Sequence, residues 1–234
     1  MKGLNAMKIR KDIPFGNLCS YSVTRESSRI LVEFAADPHG GPESMWFCFR
    51  LESEAGDENR KVRLVFKFFQ NVLGGGQKDG RLSIVGRKKG GRWERLGAGI
   101  RELAPDGQLS LAWELDHVSG YMDFALCYPY GSEELAALSG NWRRDAVGVS
   151  QGGREIVRLS NSYGEPGGRR KGIYLIARQH SGETPGSWAL HGFLDYFSKS
   201  DNQDFLIWAV PFANIDGVEN GDYGKDNFPY DLNR

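Results

Sequence analysis

The chain has 234 residues, 40% hydrophobic and 12% aromatic, enough to bury one large core or two smaller ones and too apolar for disorder throughout. Thirty basic residues balance thirty acidic ones, so no net field draws the protein onto nucleic acid or an anionic membrane. Cys19, Cys48 and Cys127 are widely spaced and form no CxxC, which excludes a disulfide framework and a cysteine zinc site. With no apolar segment of signal-peptide length and no membrane-spanning run, a soluble cytoplasmic protein is expected.

From about Phe15 to Cys127 the pattern is short and alternating. Candidate strands run from Ile30 to Phe34, from Met45 to Leu51, around Val62, Leu64, Phe66 and Phe68, and from Leu82 to Val85. Leu109, Leu111, Trp113 and Leu115, then Met122, Phe124 and Leu126, again place an apolar side chain at every second position, the period of a strand with one buried face. Turn-rich pieces such as Asp37-Pro-His-Gly-Gly-Pro42 and Leu73-Gly-Gly-Gly-Gln-Lys-Asp-Gly80 separate them, so residues 1–130 are read as an antiparallel β-sandwich. Trp46, Trp93 and Trp113 are read as core, the alternative being a peptide- or glycan-binding surface. The basic clusters at 87–92 and 169–171 sit among glycines and are read as solvated loops.

After Tyr128-Pro-Tyr-Gly131 the texture changes. Ser132 to Leu138 is a short helical pattern inside a linker, 131–150, and residues 151–234 are read as an α/β unit. Gly172 to Arg178 and Phe205 to Phe212 are near-continuous apolar runs, as expected of parallel strands covered on both faces. Between them Leu190, Phe193, Leu194 and Phe197 recur at helical spacing, with Thr184 as the expected N-cap and Pro185 in the first turn. Residues 172–212 therefore form a strand, helix, strand unit.

His180 and Glu183 fall just past the carboxyl end of the first apolar strand, where open α/β sheets bind ligands. Imidazole and carboxylate suit zinc. His-x-x-Glu alone is a weak motif, and its bland reading is a strand cap and a carboxylate at a helix N-terminus. Two later motifs strengthen the zinc reading: Asn214-Ile-Asp216-Gly217-Val218 follows the second apolar strand, and Asp231-Leu-Asn233-Arg234 comes next, opening on the same sheet edge. A guanidinium offers two parallel donors to a carboxylate, so Arg234 could grip a terminal carboxyl group with orientation as well as charge. His39 and His117 fall in the sandwich and His191 inside the helix, and all three are read as structural.

His-x-x-Glu-Thr, then Asn-x-Asp-Gly-Val-x-x-Gly, then Asp-Leu-Asn-Arg resembles the zinc metallocarboxypeptidases, and most of all their cytosolic carboxypeptidase-like branch; Trp46 to Arg50 and Tyr128-Pro-Tyr130 are similar to phrases from it. The resemblance implies an N-terminal β-sandwich followed by the first part of a catalytic α/β domain, a Zn2+ cofactor held by His180 and Glu183, and Asn233 with Arg234 on the carboxylate of a peptide or protein C-terminus. Where the branch places an oxyanion-stabilising arginine, Lys225 is the candidate substitute; losing such a donor costs a factor on the order of 10² to 10³. The third zinc ligand and the general-base glutamate of the family lie past the position of Arg234. The chain by itself is therefore expected to be metal-poor and inert. Two alternatives stay open: a zinc amidohydrolase acting on N-acyl amino acids, and a non-catalytic binding module.

Overall fold

Strands whose alternate side chains are apolar have one face to bury, and here two sheets bury it against each other. The computed structural model describes residues 7–39, 44–57, 59–69, 82–104, 107–164, 168, 170–199, 204–224 and 231–233. Its first ten strands are β1 (Lys8–Arg10), β2 (Ser20–Arg25), β3 (Arg29–Ala35), β4 (Cys48–Glu52), β5 (Lys61–Phe66), β6 (Ser83–Lys88), β7 (Trp93–Ala98), β8 (Ile100–Leu103), β9 (Leu109–Leu115) and β10 (Tyr121–Ala125). They form two five-stranded sheets, in the orders β1-β4-β10-β6-β7 and β2-β3-β5-β9-β8.

Among the described residues every pairing in these sheets is antiparallel except β3 with β5. The exception follows from connectivity: β4 lies between them in sequence but belongs to the other sheet, so the chain crosses the sandwich and returns in its original direction. Aromatic side chains from both sheets meet in the middle. Phe34 of β3 lies 4.8 Å from Phe49 of β4, and Phe47 lies 5.0 Å from Phe66 of β5, ring centre to ring centre. Trp46 and Trp113 are buried in this core and Trp93 packs at its margin. Arg87 and Lys88, expected in a loop, are the last two residues of β6.

The remaining elements are α1 (Ser132–Ala136), β11 (Arg143–Val149), β12 (Glu155–Ser160), β13 (Lys171–Ile176), α2 (Thr184–Ser198), β14 (Phe205–Val210) and α3 (Ile215–Asn220). The last four strands form a mixed sheet in the order β11-β12-β14-β13, with β13 and β14 parallel and α2 connecting them. On α2, Ser187, Leu190 and Leu194 are buried, one stripe at helical spacing. Leu190 and Leu194 join Ile207 and Ala209 of β14 in a second core.

Two local expectations differ. The N-cap of α2 is Glu183 rather than Thr184, whose hydroxyl lies 2.9 Å from the Cys127 thiol and does not cap the helix. The expected cover on both faces holds for β14 in part: Ile207 and Ala209 on one face are fully buried, while on the other Val210 is buried and Leu206 and Trp208 are half-buried. It fails for β13, which has one partner among the described strands and exposes Tyr174 and Ile176.

The two cores meet through a few residues. Phe15 packs against both, Tyr223 belongs to the first although it follows α3, and Asn17 Nδ2 donates to the Gly221 carbonyl at 2.8 Å. Gly221 has φ +74°, and a Cβ there would lie 2.7 Å from the Phe15 carbonyl, so a glycine is needed both for the turn and for the close approach.

Candidate functional site

The end of β13 leads into a turn that carries His180 and Glu183 to the start of α2. Arg178, at φ +62°, holds that turn from within: its Nε donates to the Ser181 carbonyl at 2.5 Å, and its Nη1 to the Tyr130 carbonyl at 2.9 Å and Ser187 Oγ at 3.3 Å. Burial pushes this guanidinium down to about 10, because its acceptors are neutral carbonyl and hydroxyl oxygens rather than a carboxylate. The segment after α3 supports the same turn. Gly182 N donates to the Tyr223 carbonyl at 2.6 Å, and Ser181 Oγ donates to the Asp222 carbonyl at 3.0 Å.

His180 is 3% exposed and lies between two carboxylates. Its Nδ1 is 3.0 Å from Glu183 Oε1, and its Nε2 is 2.8 Å from Asp231 Oδ1. Glu183 is the open side of the arrangement, with 55% of its side chain exposed. A neutral imidazole has one N–H to give. When Nε2 gives it to Asp231, the Nδ1 lone pair faces the Glu183 carboxylate, acceptor against acceptor, and a shared cation resolves that arrangement. The spacing also suits one: two donors of a tetrahedral zinc, each at about 2.0–2.2 Å from the metal, stand roughly 3.4 Å apart. These two residues thus fit half of a zinc site. Among the described residues no group of three His, Cys, Asp or Glu side chains is arranged to hold a metal, and Asp231 lies on the opposite ring nitrogen.

Asp231 is the residue that sequence reasoning missed. Metal-binding histidines commonly give their second N–H to a carboxylate, which fixes the ring and raises its basicity; the signal available in the sequence was an acidic residue two positions before Asn233. Asn233 is exposed and its backbone N–H donates to Asp231 Oδ1 at 2.9 Å, so the Asp231 to Asn233 turn lies beside His180. Lys225 and Arg234 lie outside the described residues.

The Asn214 to Val218 motif is spent on architecture. Asn214 Oδ1 caps α3 by accepting from Gly217 N at 3.0 Å. Asp216 accepts from Ser150 Oγ at 2.9 Å, Gly152 N at 2.8 Å and Arg154 Nη1 at 2.6 Å, fastening the β11–β12 turn to α3. Burial raises the Asp216 carboxyl, but these donors outweigh it and hold it below the usual carboxylate range. His191 Nδ1 is 2.8 Å from the Tyr130 hydroxyl, and His39 is paired with Asp222, joining the sandwich to the segment under the His180 turn. Among the described residues no helix is long and apolar enough to cross a membrane.

Set beside known proteins, the chain is 32% identical over 181 residues to cytosolic carboxypeptidase 2 of Xenopus tropicalis, covering 68% of this chain and 19% of that protein. It is 30% identical over 169 residues to cytosolic carboxypeptidase 3 of Mus musculus, covering 61% of this chain and 17% of that protein. Among solved structures it is similar to a metallo-carboxypeptidase from Burkholderia cenocepacia, with a TM-score of 0.72, 18% identity and coverage of 93% of this chain and 59% of that one. A metallo-carboxypeptidase from Pseudomonas aeruginosa, solved in complex with (2-guanidinoethylmercapto)succinic acid, gives a TM-score of 0.72 and 25% identity, over 93% of this chain and 58% of that one. No family model matches the chain. The chain therefore spans about a fifth of the length of these curated relatives and less than two thirds of these solved chains.

Proposed function

We propose, of a chain that belongs to the metallocarboxypeptidase family in its cytosolic carboxypeptidase-like branch, that it carries the sandwich and the first half of the active site of a cytoplasmic, zinc-dependent carboxypeptidase that removes amino acids from peptide or protein C-termini. The observation that carries this reading is the His180 imidazole, buried and gripped between Glu183 and Asp231 at the mouth of the β13–α2 unit.

In this reading His180 and Glu183 hold the zinc and Asp231 orients His180. The ion, when bound, supplies a Lewis acid for the scissile carbonyl and lowers the pKa of a bound water. Asn233 and Arg234 take the terminal carboxylate of the substrate, the guanidinium through two parallel hydrogen bonds and the amide by a third. Lys225 supplies positive charge near the oxygen on which negative charge develops, as a point charge rather than a fork. Arg178 keeps the ligand turn rigid without touching substrate. The relatives' names support a carboxypeptidase, and the zinc, the peptide C-terminus and the individual roles are part of the proposal.

Two ligands hold zinc weakly, so a third ligand and a general base must be added for turnover. Competition of the isolated chain with a chromophoric chelator tests the metal assignment. Weak stoichiometric zinc binding is expected, abolished in His180→Ala and in Glu183→Ala with the circular dichroism of the fold intact. Zinc affinity unchanged in both variants would refute the assignment.

A further inference from the structure

A cavity of about 250 Å³ opens where the β1-β4-β10-β6-β7 sheet meets α1 and α3. On the sandwich side its chemistry is an ion triad. The Asp123 carboxylate, 1% exposed, accepts from Arg50 Nε at 2.7 Å and Arg50 Nη2 at 3.3 Å, and also from Arg87 Nη2 at 2.9 Å and Arg87 Nε at 3.3 Å. Two guanidinium groups share one carboxylate, which leaves this side net positive. Among the described residues the Nη1 of each arginine has no protein acceptor. The arginines are also fixed in direction: Arg50 lies 3.8 Å over the Tyr121 ring and Arg87 4.8 Å over the Trp93 ring.

The helical side brings the opposite charge. Glu133 and Glu134 come from the first turn of α1 and Glu219 from α3. Glu134 accepts from Gly131 N at 2.8 Å and Glu219 from Ser132 Oγ at 3.1 Å, while the Glu133 carboxylate has no protein partner among the described residues. A purely anionic ligand would meet these glutamates, and a simple cation would meet the arginines. A dipolar molecule satisfies both sides. Carboxylates outnumber guanidinium groups on the lining four to two, so a ligand with more positive than negative charge is favoured.

We propose that this cavity binds a free amino acid with a cationic side chain, its α-carboxylate on the Nη1 groups of Arg50 and Arg87 and its positive groups toward Glu133 and Glu219. Its position at a junction of two structural layers is one that small-molecule sites favour. None of its residues belongs to the His180 site, so the two proposals stand or fall separately.

Isothermal titration calorimetry on the whole chain tests this with three probes. L-arginine is expected to bind once per chain, agmatine, which lacks the carboxylate, about tenfold or more weakly, and L-glutamate not at all. Arg87→Lys keeps a cation on Asp123, and Arg50 still pairs that carboxylate, so the variant folds; it is expected to lose L-arginine binding with the Arg87 Nη1 donor. Glu133→Gln with Glu219→Gln, two exposed positions, is expected to lose it from the other side, and His180→Ala is expected to retain it. Absence of heat with L-arginine at millimolar concentration, agmatine binding as tightly as L-arginine, or loss of binding in His180→Ala would overturn the proposal.

Discussion

A single imidazole decides how the ligand turn is read. His180 is buried with both ring nitrogens committed, one to Glu183 and one to Asp231. If Asp231 acts by fixing the ring, its replacement should leave the fold intact and weaken the proposed metal site. Asp231→Asn is expected to lower zinc affinity roughly 10- to 100-fold in chelator competition, with an unchanged thermal midpoint in the absence of metal. The His180 to Glu183 contact is legible in the sequence because the two residues stand three positions apart just past the end of an apolar strand. Asp231 is not, because its role depends on a contact across fifty-one residues that no local pattern encodes. Gly224 is a second residue of this kind. It has φ +113°, and a Cβ there would lie 2.0 Å from the Ser181 backbone N. Gly224→Ala should therefore shift the His180 turn, destabilise the protein by on the order of 2 kcal/mol and weaken zinc binding; thermal melting and the same competition assay check both.

At the scale of elements, the strands that could be read were those with a buried face. Leu111 and Trp113 of β9, and Leu64 and Phe66 of β5 opposite them, alternate because they reach the sandwich core. β2 and β11 carry no such signal. Their side chains are mostly exposed, and they exist because β3 and β12 offer unpaired backbone groups to them rather than because of their own apolar period. The β11–β12 turn is held by Asp216, and this anchor is sensitive to pH. Its carboxyl is depressed in the folded state, so below the ordinary carboxylate pKa of about 3.9 the unfolded chain binds more protons than the folded one. The stabilisation is thus complete above that pKa and lost as pH falls through the folded value. Asp216→Asn should cost about 1–3 kcal/mol at neutral pH, and the gap to the parent protein should close in acid; urea unfolding at both pH values measures it.

For the molecule as a whole, the sandwich and the α/β part share residues rather than merely touching. Phe15 packs into both cores, its ring lies where a Cβ on Gly131 would intrude, and its carbonyl accepts from Trp46 Nε1 at 2.9 Å. One unfolding transition should therefore carry both parts. Phe15→Ala is expected to remove about 3 kcal/mol and to lower the fluorescence and circular dichroism midpoints together. Two separated transitions in the parent protein would contradict this. The change of texture after Gly131 was visible in the sequence as alternation giving way to continuous apolar runs; the interlock was not, since Phe15 and Tyr223 lie in segments with no repeating pattern.

The parallel pairing of β3 with β5 has a consequence for how the polypeptide emerges from the ribosome. β4 gains its second neighbour only with β10, at residues 121–125, and β5 gains its second only with β9, so neither sheet has its inner strands matched until these later strands have been made. Tyr223, nearly a hundred residues later, then plugs into that same interior. Nascent intermediates expose aromatic faces throughout this interval, which makes slow, chaperone-dependent maturation the expected behaviour during synthesis.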